Sequence, residues 1–159
     1  MSANVFSQTE NDVKEFMNDL FFSLPMDENK IQLVKEINRN ENLNSVEIGT
    51  AGINCNVIKN PYLNLSGTDS SLLILFNEQN SVSESKFTII GKANDKSYSN
   101  VVNLLKSLEL TSEKTKDSEN QETTAFYQKD NTNAFCAVRK LNTSLGPITI
   151  IFYFPEYLI

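Results

Sequence analysis

Three carboxylates near the start of the chain have a spacing that could support binding. Asp12, Glu15 and Asp19 stand at i, i+3 and i+7, which places them on one face of a helix. Such a face attracts a cation or a basic protein surface, or it is simply the solvated side of an amphipathic helix. The three residues are candidate partner-binding residues, and the solvated helix face is the alternative.

Paired carboxylates can also act as general acid and base, as in glycoside hydrolysis. The acids close to predicted strand ends are the candidates for such a pair, but nothing in the sequence brings two of them together. The chain also has no Trp to line a sugar-binding cleft. We therefore predict no catalytic residues and expect a protein that is not an enzyme. The acids considered are Glu47, Glu78, Glu84, Asp130 and Glu156.

The chain contains no histidine, which removes the commonest general base near neutral pH and the commonest transition-metal ligand. Ser-His-Asp, Cys-His and His-bearing zinc chemistry are excluded. Cys55 and Cys136 lie far apart and form no CxxC or zinc-type spacing. We predict no metal site and no cofactor. The two cysteines are expected to be buried strand residues, with a disulfide or a reactive thiol as alternatives.

The charge balance restricts the class of partner. The 159 residues carry 14 basic and 20 acidic side chains, for a net charge of −6. Nucleic acid and anionic membranes need a basic face, so neither is expected to bind, whereas a protein with a basic surface would be attracted.

The first residues have no basic segment before an apolar run, so we expect no signal peptide and a cytoplasmic location. A trimmed secreted form is the alternative.

Two tyrosines are further candidate partner-binding residues. Tyr127 alternates with Phe126 in a predicted strand, and Tyr157 lies in the apolar segment that ends the chain. Tyrosine beside acidic side chains is common at protein interfaces. The alternative is a capped sheet edge and a tail that packs on its own core.

Hydrophobic periodicity predicts three helices. The first lies within residues 1–25, where apolar residues from Val13 to Leu24 recur with helical spacing and Pro25 is expected to end the helix. The second is predicted over Asp27–Arg39 and the third over Tyr98–Glu109, each with one apolar face.

From Val46 onward the pattern changes to that of strands, rich in Val, Ile, Leu, Phe and Thr. Leu72–Phe76 and the last predicted strand are apolar on both alternating faces, which predicts central positions covered on both sides. Thr111–Thr124 has no apolar residue and is predicted to be a long surface loop. The predicted strands are Val46–Thr50, Ile53–Lys59, Ser71–Asn77, Lys86–Gly91, Thr124–Lys129, Ala134–Leu141 and Pro147–Phe154.

The two halves of the chain share a short pattern. A C-x-V-x-K segment at Cys55 is followed by N-x-S, a glycine and an apolar strand, and the same order follows Cys136. One interpretation is two sequential α-β-β-β units, over residues 27–91 and 95–159, which would place Cys55 and Cys136 at equivalent positions. Accidental similarity of two strand–turn–strand segments is the alternative.

We predict one α+β domain over residues 1–159, with an antiparallel sheet of about six to seven strands and two to three helices mainly on one face. The favoured function is non-catalytic protein binding, by an acidic inhibitor or immunity-type protein that neutralises a basic partner. A small-ligand-binding protein with a pocket between sheet and helices, lined by Phe126, Phe135 and Tyr153, is the first alternative. A carboxylate-dependent enzyme is the second.

Overall fold

The computed structural model describes residues 12–25, 30–49, 52–60, 62, 70–75, 86–91, 95–129, 131–144 and 146–158, the backbone alone for residues 86–91 and 95–97. Helix α1 is described over residues 12–20, and the other helices are α2 (Lys30–Arg39), α3 (Asp95–Lys106) and a short 3-10 helix (Pro155–Tyr157). The strands are β1 (Leu43–Ile48), β2 (Gly52–Val57), β3 (Ser71–Leu75), β4 (Lys86–Gly91), β5 (Thr111–Ser118), β6 (Gln121–Tyr127), β7 (Cys136–Thr143) and β8 (Gly146–Tyr153).

The eight described strands form one antiparallel sheet in the order β1-β2-β3-β4-β8-β7-β6-β5. Each half of the sheet is a meander of four sequential strands preceded by a helix, and β4 pairs with β8 where the two halves meet. The predicted α+β class and the antiparallel sheet are confirmed. The last strand, β8, has the central position that its two apolar faces predicted.

The prediction that Thr111–Thr124 forms a loop is wrong, and it accounts for the additional strand. Residues Thr111–Ser118 form edge strand β5, which pairs with β6 along its length. Every residue of β5 is exposed, so the strand depends on backbone hydrogen bonds instead of burial and shows no hydrophobic period. Across the pair, Lys114 Nζ lies 2.7 Å from Glu122 Oε1. Charged side chains on an edge also discourage pairing with another chain.

The described helices pack on one face of the sheet. The ring of Phe21, just after α1, lies 5.2 Å from that of Tyr153 on β8. Helix α2 contacts β1, and α3 contacts β7 and β8. One hydrophobic cluster draws on helices and strands of both halves; its fully buried members include Leu33, Ile37, Ile53, Leu72, Ile74, Val101, Leu105, Phe126, Val138 and Ile151.

Helix α1 ends earlier than Pro25 alone would require. Ser23 N donates to Asn18 O and Phe22 N donates to Asp19 O, which is the paired hydrogen-bond pattern of a Schellman motif. The position that glycine usually takes in this motif is held by Phe22, with φ 64°. Its ring is buried, and its carbonyl accepts a hydrogen bond from Asn40 Nδ2, so packing offsets the cost of the left-handed backbone.

The sequence pattern shared by the two halves does not align them strand for strand. Cys55 lies on β2, the second strand of the first meander, whereas Cys136 lies on β7, the third strand of the second. The cysteine equivalence that the two-unit interpretation implied is therefore wrong. Each half has four strands, so neither is an α-β-β-β unit, and in the second half the additional strand is β5, which was predicted to be a loop.

Gly52, at the start of β2, lies so close to β3 that we expect alanine to destabilise the fold there. A Cβ at this position would lie 2.5 Å from the carbonyl oxygen of Ile74, a backbone atom that cannot move without disturbing the sheet. We expect Gly52→Ala to lower the free energy of unfolding by about 1–3 kcal/mol, measured by urea denaturation. Gly49→Ala is the matched control, because its Cβ would be 3.6 Å from the nearest atom. Equal losses in the two variants would contradict this reading of the β2–β3 contact.

Candidate interaction surface

The sheet has a second face, opposite the helices, on which no described element packs. Burial alternates along β2: Ile53, Cys55 and Val57 are buried under the helices, and Asn54 and Asn56 are exposed on the other side. The same alternation runs through β3, β6 and β8. We call this second side the open face.

The described side chains in the middle of the open face are mainly apolar. Its cross-strand register places Leu73 of β3 in the same row as Phe152 of β8 and Ala137 of β7, with β4 between the first two. All three side chains are half-buried. Further half-buried apolar side chains extend the patch along β7 and β8. We define the apolar strip as Leu73, Ala137, Leu141, Ile148, Ile150 and Phe152.

One positive charge lies within this strip. Arg139 on β7 is half-buried and pairs with Ile150 of β8 on one side and Thr123 of β6 on the other. Its Nε donates a hydrogen bond to Thr123 Oγ1 at 3.1 Å. The guanidinium carbon lies 5.3 Å from the ring centroid of Phe152, a cation–π distance.

Carboxylates stand at both edges of the open face. Glu47 on edge strand β1 pairs with Asn54, so its exposed side chain is on the open side. On the opposite edge, Glu113 of β5 accepts a hydrogen bond from the Tyr127 hydroxyl at 3.5 Å. Asp117, further along β5, accepts one from Gln121 Nε2 at 3.0 Å. The open face is thus an apolar strip between two acidic edges.

The acids predicted on the first helix lie on the other side of the molecule. Asp12 and Glu15 are exposed and Asp19 is half-exposed on α1, which covers the helix side of the sheet. Glu15 and Asp19 lie near Tyr62, whose pKa is raised first by burial and then by the negative charge of Asp19. The spacing argument placed the acids on one helix face, but it could not find Tyr62, which is distant in sequence.

The two predicted tyrosines are separated as well. Tyr127 is half-buried on the open face, and its hydroxyl donates a hydrogen bond to Glu113. Tyr157 is half-buried beyond the end of β8, where its ring centroid lies 6.0 Å from that of Phe154 and its carbonyl accepts a hydrogen bond from Asn131 Nδ2. Of the five residues predicted to bind a partner, the structure therefore places only Tyr127 on the open face.

Two of the three residues predicted to line a ligand pocket instead fill the core, and the third, Tyr153, also borders a depression beside α1. Phe126 and Phe135 are fully buried, and Tyr153 is 5% exposed. Depressions of about 300 Å³ and about 410 Å³ do occur beside α1, and both are open to solvent. Both linings mix polar and apolar surface; the smaller depression is lined by Asp19, Phe22, Ser23, Asn42 and Tyr62, and the larger by Lys14, Glu15, Asn18 and Tyr153.

Two of the acids considered for a catalytic pair are described by the structure, and they lie far apart. Glu47 is on edge strand β1, and Glu156 follows β8, four positions along the sheet. At about 4.8 Å per strand this is roughly 19 Å, beyond the roughly 5–10 Å of glycosidase carboxylates. Glu78, Glu84 and Asp130 lie outside the described residues.

Both cysteines are free thiols buried in strands, as predicted. Burial raises the pKa of Cys55 from 9.0 to about 11, and it raises the pKa of Cys136 further still. Thiolate is the reactive form of cysteine, so neither side chain has the environment of a nucleophile.

Comparison with known proteins finds no family model, no curated protein and no solved structure that matches this chain. Within the described ranges, no three His, Cys, Asp or Glu side chains converge as a metal site would require. No helix in the same ranges is long and apolar enough to cross a membrane. The site and fold therefore define the protein only as an α+β protein with an antiparallel sheet that carries an open face.

The buried thiols predict a loss of stability at alkaline pH. Because the folded state raises the pKa of Cys55, its contribution to stability is complete below pH 9 and is lost as the pH rises through about 11. We expect the free energy of unfolding to fall across this range in urea titrations with reductant present. In Cys55→Ala part of that fall should disappear. An unchanged pH dependence in the variant would contradict the assignment.

Proposed function

We propose that the protein is a non-catalytic binding module that uses the open face to bind another protein with an apolar centre and basic periphery. The observation that carries the proposal is the half-buried apolar strip between two acidic edges. A contiguous apolar patch with a polar rim is typical of protein–protein interfaces. An inhibitor or immunity-type role, in which the acidic edges neutralise a basic partner, is the form of this function that we favour.

The dimensions of the open face suit such an interface. Strands at about 4.8 Å spacing make the eight-stranded sheet roughly 35 Å wide, and strands of five to eight residues give a length of about 20 Å. The resulting area is about 700 Å², close to the roughly 800 Å² that each partner contributes to a standard interface. A layer of partner side chains would complete the burial of the strip, as a second layer does in most domains.

Charge favours a basic partner over a second copy of the chain. A twofold axis between two facing sheets places an acidic edge over an acidic edge, whether it runs along the strands or across them. Glu47 on one edge and Glu113 and Asp117 on the other would then oppose like charges, which is destabilising. Lysine and arginine side chains on a partner would instead complement both edges and speed association.

The test is capture of a partner from the source cell, followed by affinity measurements with purified components. We expect the double variant Glu47→Lys with Glu113→Lys to weaken binding about tenfold or more through charge reversal at both edges. Ile150→Thr, in the middle of the strip, should weaken it as well. Hydrogen exchange of the complex should show protection in β7 and β8.

The matched control is Asp12→Lys with Glu15→Lys, which makes the same change in net charge on the helix side. We expect it to alter affinity less than about twofold. If the helix variant abolishes binding and the edge variant does not, the interface is the acidic face of α1. A stable dimer that Ile150→Thr dissociates would make a second copy the occupant of the open face, and equal capture by all variants would show nonspecific binding.

A further inference from the structure

Arg139 is the one charged side chain that the described residues place inside the apolar strip. Its neighbours across the strands are Ile150 and Thr123, and Phe152 lies diagonally across β7 and β8. Charged residues are generally depleted at the centre of interfaces, but arginine is enriched there because its planar group combines stacking with hydrogen bonding. Its position calls for a specific explanation.

The guanidinium is held in place from two sides. Thr123 Oγ1 accepts the Nε–H at 3.1 Å, and the ring of Phe152 lies under the group at 5.3 Å. These contacts restrict the side chain before any partner arrives, which lowers the entropy lost on binding. The two contacts involve Nε and one planar face of the guanidinium, so the two terminal nitrogens can still donate hydrogen bonds.

No carboxylate in the described part of the chain forms an ion pair with Arg139. The acids on the nearer edge, Glu113 and Asp117, lie two strands away and accept hydrogen bonds from Tyr127 and Gln121. A partner that covered the strip with apolar groups alone would bury an unpaired positive charge, which is strongly unfavourable. An anion on the covering surface, placed over Arg139, would avoid this cost.

We infer that Arg139 is a specificity-determining anchor that binds an aspartate or glutamate side chain at the apolar centre of the partner protein. The inference rests on the proposed function and adds to it, because the partner's basic groups would be at the periphery and its carboxylate at the centre. The terminal N–H groups can donate in parallel to both carboxylate oxygens, a match that lysine cannot reproduce.

Two dyes can test this before the partner is known. Anilinonaphthalene sulfonate combines an aromatic surface with an anion that stands in for the carboxylate, and Nile red is apolar and uncharged. We expect Arg139→Gln to weaken binding of the sulfonate dye about fivefold and leave Nile red binding within twofold. Arg139→Lys should restore only part of the sulfonate affinity, because the charge is kept and the planar pair of donors is lost.

Lys116→Gln is the control for net charge, because Lys116 is exposed on β5 and pairs with Glu122, on the helix side. It should leave both affinities unchanged, and Ile150→Thr should weaken both dyes. Equal weakening of both dyes by Arg139→Gln would overturn the anchor role and leave the open-face interface standing. If neither dye's binding responds to Ile150→Thr, the strip is not a binding surface, and both the inference and the proposed function fail.

Discussion

The pairing of β4 with β8 is the contact on which the rest of the structure depends. It is the one described strand pairing between the two four-stranded meanders, and it runs from Phe87↔Tyr153 to Gly91↔Thr149. Without it, each half would be a small sheet with two unpaired edges. With it, the helices share one core, and the register places Leu73 of β3 in one row with Phe152 of β8 and Ala137 of β7.

Placing the described helices on one side of the sheet decides where function can reside. The helix side becomes a filled core, in which Phe126 and Phe135 are fully buried and Tyr153 only borders a solvent-open depression beside α1. The opposite side retains apolar side chains that are only half-buried. The described acidic groups include those outside α1, those at the two edges of the open face and others such as Glu36 on α2 and Glu122 on the helix side of β6, so they are not concentrated on one surface. In the proposed function the edges attract a basic partner and the strip supplies the apolar area.

Local periodicity predicted the helices and strands that have one buried side and one exposed side. The face of α1 from Val13 to Phe21 and the alternation along β2 each show one buried and one exposed side, and both were predicted within a few residues. β5 was missed because both of its sides are exposed, so Thr111–Ser118 has the composition of a loop. β5 is a strand because its backbone pairs with β6, and a local sequence pattern does not show hydrogen bonds to a neighbouring strand.

By itself, the sequence determined the α+β class, the central place of β8 and the absence of histidine chemistry, because these follow from composition and local spacing. The two apolar faces of β8 also contained the signal for the open face, although they predicted full cover on both sides. Only the tertiary structure decided that the described helices cover one side of the sheet and that Arg139 lies over Phe152. It also decided that Tyr127 donates a hydrogen bond to Glu113 on the open face, whereas Asp12 and Glu15 lie on the helix side. The physical reason is that strand order and register bring together residues far apart in sequence, and no local period records them.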